Sequence, residues 1–265
     1  MTTVTDIYRH LDEVAPFSLQ MDFDNAGFLV GRGDQAVTKV LVALDITEIV
    51  AEEAETWGAE LIVAHHPVIF QPVHRVTDTD PVGRVLLTLA ERRIAAICAH
   101  TNLDAVAGGV NDALAQRLGL VQTEQLKQDG TDHLGRPYGI GRVGVWEGTG
   151  MYAPAFAQQV KEALGANGVR YVDARRPVRR VAVGGGACGD MLSDAFRMGC
   201  DTFVTSDVKY HSFLDAKAMG LNLIDAGHYP TENVVCPVLV KWLSAAFPKL
   251  EIAQSKRHEE VFSYL

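Results

Sequence analysis

The stretch AELIVAHHPVIF, residues 59–70, decides the fold class. Within it ELIVAH (60–65) is a short apolar run suited to a buried strand, and it ends in two adjacent histidines, His65 and His66. The same pattern recurs outward in both directions: KVLVALD (39–45), IAAICAH (94–100), RVAVGGG (180–186), DTFVTSD (201–207) and LNLIDAGH (221–228). Segments of helical period separate these runs. Asp80 and Pro81 supply an N-cap and first position ahead of Val82, Val85, Leu86 and Leu89, and the segment from Val110 to Leu118 closes on Gly119. TENVVCPVLVKWLSAAF (231–247) predicts a last helix, kinked at Pro237, with Glu232 in its first turn and His228 in the loop before it. Alternation of this kind predicts an α/β protein with mostly parallel sheets covered by helices. The polar, turn-rich residues 122–137 are the best candidate boundary, which divides the chain into lobes 1–125 and 126–265.

Composition narrows the function classes. The 265 residues carry 24 Lys and Arg against 33 Asp and Glu, a net charge of −9 without a block of like charges, which disfavours a sequence-independent grip on nucleic acid. No apolar run approaches the roughly 18 residues that cross a bilayer. The start, MTTVTDIYRHLDEV, carries Asp6 and Asp12 instead of a basic region and apolar core, so no secretory signal is expected. Four scattered cysteines, Cys98, Cys188, Cys200 and Cys236, without CxxC spacing, fit a cytoplasmic protein with reduced thiols.

Nearly every strand candidate ends in a polar group: Asp45, the His65–His66 pair, His100 with Asp104 beyond it, Gly184 to Gly186, Ser206 with Asp207, and Asp225 with His228. Ligands of open α/β sheets gather at the carboxyl ends of strands, so these groups point to one mouth. Successive side chains of an extended backbone face opposite sides, which suggests that His65 and His66 serve two ions, one each. Oxygen ligands must then bridge and offset about +4 of charge; the chain offers Asp104 in HTNLDA and Glu232 in GHYPTEN, with His228 four residues earlier. Two hydrogen-bonded structural histidines are the alternative.

The phrases FDNAGFLVG (23–31), VAHHPVIF (63–70), AHTNLDA (99–105), RVAVGGGACGD (180–190), TSDVKYH (205–211) and DAGHYPTENV (225–234) carry a family resemblance. Over most of its length the chain resembles the GTP cyclohydrolase I type 2 homologues, also called the NIF-three-like family. The resemblance implies two α/β lobes facing each other across a pair of metal ions bound by His65, His66, Asp104, His228 and Glu232. It also implies a ring-shaped homohexamer and a short form without the domain that longer members insert. Phe23 stands where the family often has Trp, a departure that touches no ligand.

Other residues have less definite roles. GGGACG (184–189) matches G-x-G-x-x-G after a strand, but its place beside the ligands favours a close backbone approach to substrate, or a nest of N–H groups for an anion, over a dinucleotide site. A tight turn without a ligand is the plainer reading. Asp24 and Asn25 line the mouth or form a self-satisfied turn. His100 orients a ligand or sits in the core, and His211, near Lys209 and Tyr210, is a candidate proton shuttle or substrate contact. Ions ~3.5–4 Å apart acidify water and polarise a substrate oxygen, which suits hydrolysis of a nucleotide or similar small molecule. The family name implies opening of the guanine ring of GTP, although no residue here reads guanine. A non-catalytic metal-binding or regulatory oligomer is the alternative. Iron, zinc, manganese and nickel all accept three histidines and two carboxylates.

Overall fold

The computed structural model describes residues 1–265, which divide into two compact units: Met1–Leu103 with Cys236–Glu259, and Asp104–Val235 with Glu260–Leu265. The first unit opens with α1 (Val4–Val14), started by a capping box in which the Thr3 hydroxyl accepts from the Asp6 amide and the Asp6 carboxylate accepts from the Thr3 amide. Its buried face is Val4, Ile7 and Leu11, one residue per turn. Then follow β1 (Gly27–Val30), β2 (Lys39–Ala43), α2 (Glu48–Trp57), β3 (Leu61–Ala64), α3 (Pro81–Arg92) and β4 (Ala95–Cys98). As expected, Asp80 caps α3 by accepting from the Gly83 amide at 2.8 Å, and Pro81 occupies a position where no intrahelical donor is required. The parallel pairs Ala43↔Ala64 and Ala64↔Cys98 align the ends of β2, β3 and β4, so Asp45, His65, His66 and His100 leave the sheet at one edge.

The second unit begins within α4 (Thr101–Ala105) and continues through α5 (Val110–Arg117), β5 (Leu120–Gln125), β6 (Gly130–Thr131), β7 (Pro137–Tyr138) and β8 (Arg142–Trp146). It goes on with α6 (Ala153–Leu164), β9 (Arg170–Val172), β10 (Arg180–Val183), α7 (Leu192–Arg197), β11 (Thr202–Thr205), α8 (Tyr210–Met219), β12 (Asn222–Asp225) and α9 (His228–Glu232). The sheet order is β5-β8-β10-β11-β12-β9. Only β10, β11 and β12 run parallel; β5–β8, β8–β10 and β12–β9 are antiparallel, so this sheet is mixed and not mostly parallel. Between β5 and β8 the reason is connectivity: residues 126–141 fold back on themselves in the small β6–β7 hairpin, which returns the chain alongside β5. The polar stretch 122–137 is therefore an elaborated hairpin inside the second unit, with the Asp132 carboxylate accepting from the Leu134 and Arg136 amides. The division lies at 103/104, not 125/126, and Asp104 belongs to the second unit.

The chain then returns to the first unit. The expected kinked helix over 231–247 is instead α9, a 3₁₀ turn at Asn233–Val235, and a new helix α10 (Cys236–Ala246). Pro237 is the second residue of α10, where its missing N–H removes no intrahelical bond and no kink results. The chain continues into β13 (Glu251–Gln254), which pairs parallel to β2 and completes the order β1-β4-β3-β2-β13, with only β1 antiparallel. Each sheet has its own core: Ile62, Val50 and Leu89 are buried in the first, and Phe156, Val204 and Ile224 in the second. All four cysteines are free thiols, and no helix is long and apolar enough to cross a membrane.

Candidate metal centre

In the first unit, three histidines share one anchoring scheme. The His65 Nδ1 lies 2.8 Å from the Ala99 carbonyl, His66 Nδ1 lies 2.7 Å from Asp45 Oδ1, and His100 Nδ1 lies 2.7 Å from Asp24 Oδ1. A carbonyl or carboxylate only accepts, so each Nδ1 carries the proton and each Nε2 presents its lone pair. The rings lie 5.0, 5.1 and 5.4 Å apart, and one ligand atom from each falls within 4.8 Å of the others. The adjacent pair does not face opposite sides as alternation predicts. His65 and His66 stand beyond the last residue of β3, where the pleat no longer sets direction, although their amides still donate to the Ala43 and Leu44 carbonyls.

Carboxylates hold this half-site from outside. Burial acts to raise the Asp45 pKa, but hydrogen bonds from His258 and His66 outweigh it and hold the carboxyl well below its ordinary range. The shielded Asp24 side chain accepts from His100 and from the amide and hydroxyl of Thr101. Burial raises its pKa too, and these bonds overcome it, lowering the value from 3.8 to about 2. The folded value lies below the unfolded one, so the contribution is complete above about pH 4 and disappears as pH falls through about 2, a change of roughly 2 kcal/mol. Urea unfolding of wild type should therefore lose stability more steeply over that window than Asp24→Asn does, and equal slopes would refute the assignment. Asn25 donates to the Ile69 carbonyl, so both residues expected at the mouth make bonds within the chain.

In the second unit, Asp104 on α4 and Glu232 on α9 are 7% and 3% exposed, with a carboxylate oxygen of each within 4.8 Å of the other. His228 is not in a loop. It opens α9, which Glu232 closes one turn later, and its Nε2 comes within 2.9 Å of Glu232 Oε2. Its Nδ1 donates to Asp207 Oδ2 at 2.6 Å, the fourth instance of the anchoring scheme. The glycine run does not offer a nest. The Gly184 amide donates to the Val204 carbonyl, Gly185 to Asn111 Oδ1 and Gly186 to Thr231 Oγ1, and Asp207, the acid at the end of the next strand that a dinucleotide site would use, is engaged with His228, so such a cradle lacks its donors and its acid. What the run provides is room: at Gly186, with φ of +66°, a Cβ would fall 2.1 Å from Glu232 Oε1 and 3.3 Å from His228 Nε2. Asn111 also donates to the Asp104 carbonyl at 3.0 Å and so ties α4 to the glycine turn.

His211 is exposed in the first turn of α8, where its ring meets Tyr210 edge-on at 5.7 Å. It stands apart from the anchoring scheme, whereas His100 is part of it. Asp45 was visible in the sequence as a strand-end acid without a role, and Asp207 as the acid of the rival dinucleotide reading. Asn111, Thr231 and His258 carried no local signal, because their partners are distant in the chain.

Comparison with known proteins places this arrangement in context. A family model described as Duf34/NIF3 (NGG1p interacting factor 3) matches residues 2–260. A protein of Clostridium perfringens named GTP cyclohydrolase 1 type 2 homolog is 35% identical over 267 residues, covering 99% of both chains. One of the same name from Streptomyces coelicolor is 37% identical over 241 residues, or 89% of this chain and 84% of that one. Among solved structures, a Bacillus cereus protein related to NIF3 superposes with a TM-score of 0.93 at 26% identity, covering 100% of this chain and 99% of that one. Sequence and fold agree over nearly the full length, and the chain belongs to the Duf34/NIF3 (NGG1p interacting factor 3) family.

Proposed function

We propose that His65, His66, Asp104, His228 and Glu232 hold two divalent transition-metal ions, and that the protein is a metal-dependent hydrolase of a nucleotide-like small molecule. The observation that carries the metal reading is the repeated anchoring of Nδ1 by a carbonyl or carboxylate in His65, His66 and His228, which leaves Nε2 as the ligand atom of each ring; in His228 that atom already lies against the Glu232 carboxylate, a second ligand candidate. Imidazole nitrogens with two nearly buried carboxylates suit zinc, iron, manganese or nickel. The substrate class rests on the name that the relatives carry.

When bound, a pair of divalent ions supplies Lewis acidity, lowering the pKa of water and polarising a substrate oxygen. The chain's own residues handle orientation and protons. Asp104 and Glu232 contribute the charge that balances the cations. The Ala99 carbonyl and Asp45 keep His65 and His66 in one tautomer and one ring orientation. Asp24, ionised at neutral pH, holds His100 by Nδ1 and fixes the direction of its ring, so His100 and not the exposed His211 is assigned proton transfer at Nε2.

The test is metal analysis of freshly purified protein, then a depletion screen over nucleotides, pterin precursors and phosphoesters with each of the four metals. His100→Ala should keep its metal and lose about 10²–10⁴-fold in turnover. Metal loss in that variant would make His100 a ligand instead. The words "interacting factor" in the family's description favour a second reading, a non-catalytic metal-binding protein that serves a partner. A protein that holds metal yet turns over nothing in the screen would fit it.

A further inference from the structure

The segment after β13 is fixed to the first unit by a chain of specific bonds. The Ser255 amide extends the parallel ladder by donating to the Val42 carbonyl at 2.7 Å. Glu53 on α2 then accepts from the Ser255 hydroxyl, from the Lys256 amide at 2.9 Å and from the Arg257 amide at 3.3 Å, while Arg257 pairs with Glu52 at 3.1 Å. The His258 amide donates back to Ser255 Oγ at 3.1 Å, which closes a tight turn. This turn directs the His258 side chain inward, where it is only 8% exposed and its Nε2 lies 3.2 Å from Asp45 Oδ2. The other oxygen of the same carboxylate, Oδ1, is the one that holds His66 Nδ1 at 2.7 Å. One carboxylate thus has a different imidazole on each oxygen.

We propose that His258 is a positioning residue for the candidate metal centre, which fixes the carboxylate plane of Asp45 and through it the direction of the His66 ring. The inference rests on the metal reading given above and adds the C-terminal segment to it. A carboxylate bonded at one oxygen can still swing about its terminal torsion, whose energy profile is broad; a donor on the second oxygen removes that freedom. Groups that orient a ligand histidine typically change metal affinity 10–100-fold when lost. His258 acts one bond further out, so an effect near the lower end is expected, on the ion that His66 holds and not on the other. A segment that merely closed the fold would alter stability and leave the two affinities in their original ratio.

The experiment is competition for Zn²⁺ between a chromogenic chelator and the metal-depleted full-length protein, with melting temperatures recorded beside it. Wild type should take up two ions. His258→Ala should bind one of them about tenfold more weakly and the other unchanged. His258→Gln, whose amide nitrogen can donate from nearly the same place, should recover most of the loss. Unchanged affinity for both ions in a folded His258→Ala overturns the inference. So does an equal weakening of both ions, or a Gln variant no better than Ala. Wild-type protein that takes up no zinc would overturn the metal reading itself and this inference with it, which separates the two failures.

Discussion

Replacing Glu232 by Ala should take the protein from two bound ions per chain to none. Glu232 combines near-complete burial with approach to two other ligand candidates: its Oε2 is 2.9 Å from His228 Nε2, and a carboxylate oxygen lies within 4.8 Å of one from Asp104. Two carboxylates held so close in a shielded place repel each other, and a cation relieves the repulsion. The same reasoning makes a second, opposite expectation. In the metal-free protein, Glu232→Gln should melt no lower than wild type, because it removes one of two like charges while keeping volume. Asp104→Ala should likewise lose both ions, whereas His65→Ala or His66→Ala should weaken chiefly one. Elemental analysis of metal-replete preparations decides the matter. Retention of two ions by Glu232→Ala would sink its ligand role, and one ion at most in wild type would sink the pair.

Gly186→Ala should bind metal at least 100-fold more weakly than wild type, although the substitution adds one methyl group and removes no ligand. Two costs add at this position. The φ of +66° lies in the left-handed region, which costs a residue with a Cβ about 1–2 kcal/mol. The new Cβ would also sit 2.1 Å from Glu232 Oε1, closer than any real contact, so the carboxylate must leave its place. Gly199 separates the two costs, since its φ is +72° and a Cβ there meets nothing within 4 Å. Gly199→Ala should lose about 1 kcal/mol of stability and keep its metal. Equal metal affinity in the two variants would show that Gly186 is only a turn residue.

Some of this protein was legible without its tertiary structure, because the signals are local. The runs at β2, β3, β4, β10, β11 and β12 are continuous and apolar, as strands covered on both faces must be, and their polar ends marked the ligand candidates. The Asp80–Pro81 start of α3 was equally readable, since a cap and its amide are three residues apart. The edge strands β5 and β9 carry mixed, partly exposed side chains without a clear period, and β13 joins a sheet formed by residues more than a hundred positions earlier. His228 was misplaced because α9 is too short to show a helical repeat. The anchors were beyond reach for the same physical reason: His66 meets Asp45 across 21 residues and His100 meets Asp24 across 76, and no local propensity encodes such pairs. The residue types able to bind metal are thus a property of the sequence. The tautomer and direction of each imidazole, and the space that seats Glu232, are set only when the folded backbone brings a distant acceptor to one ring nitrogen and a glycine to the other side of the carboxylate.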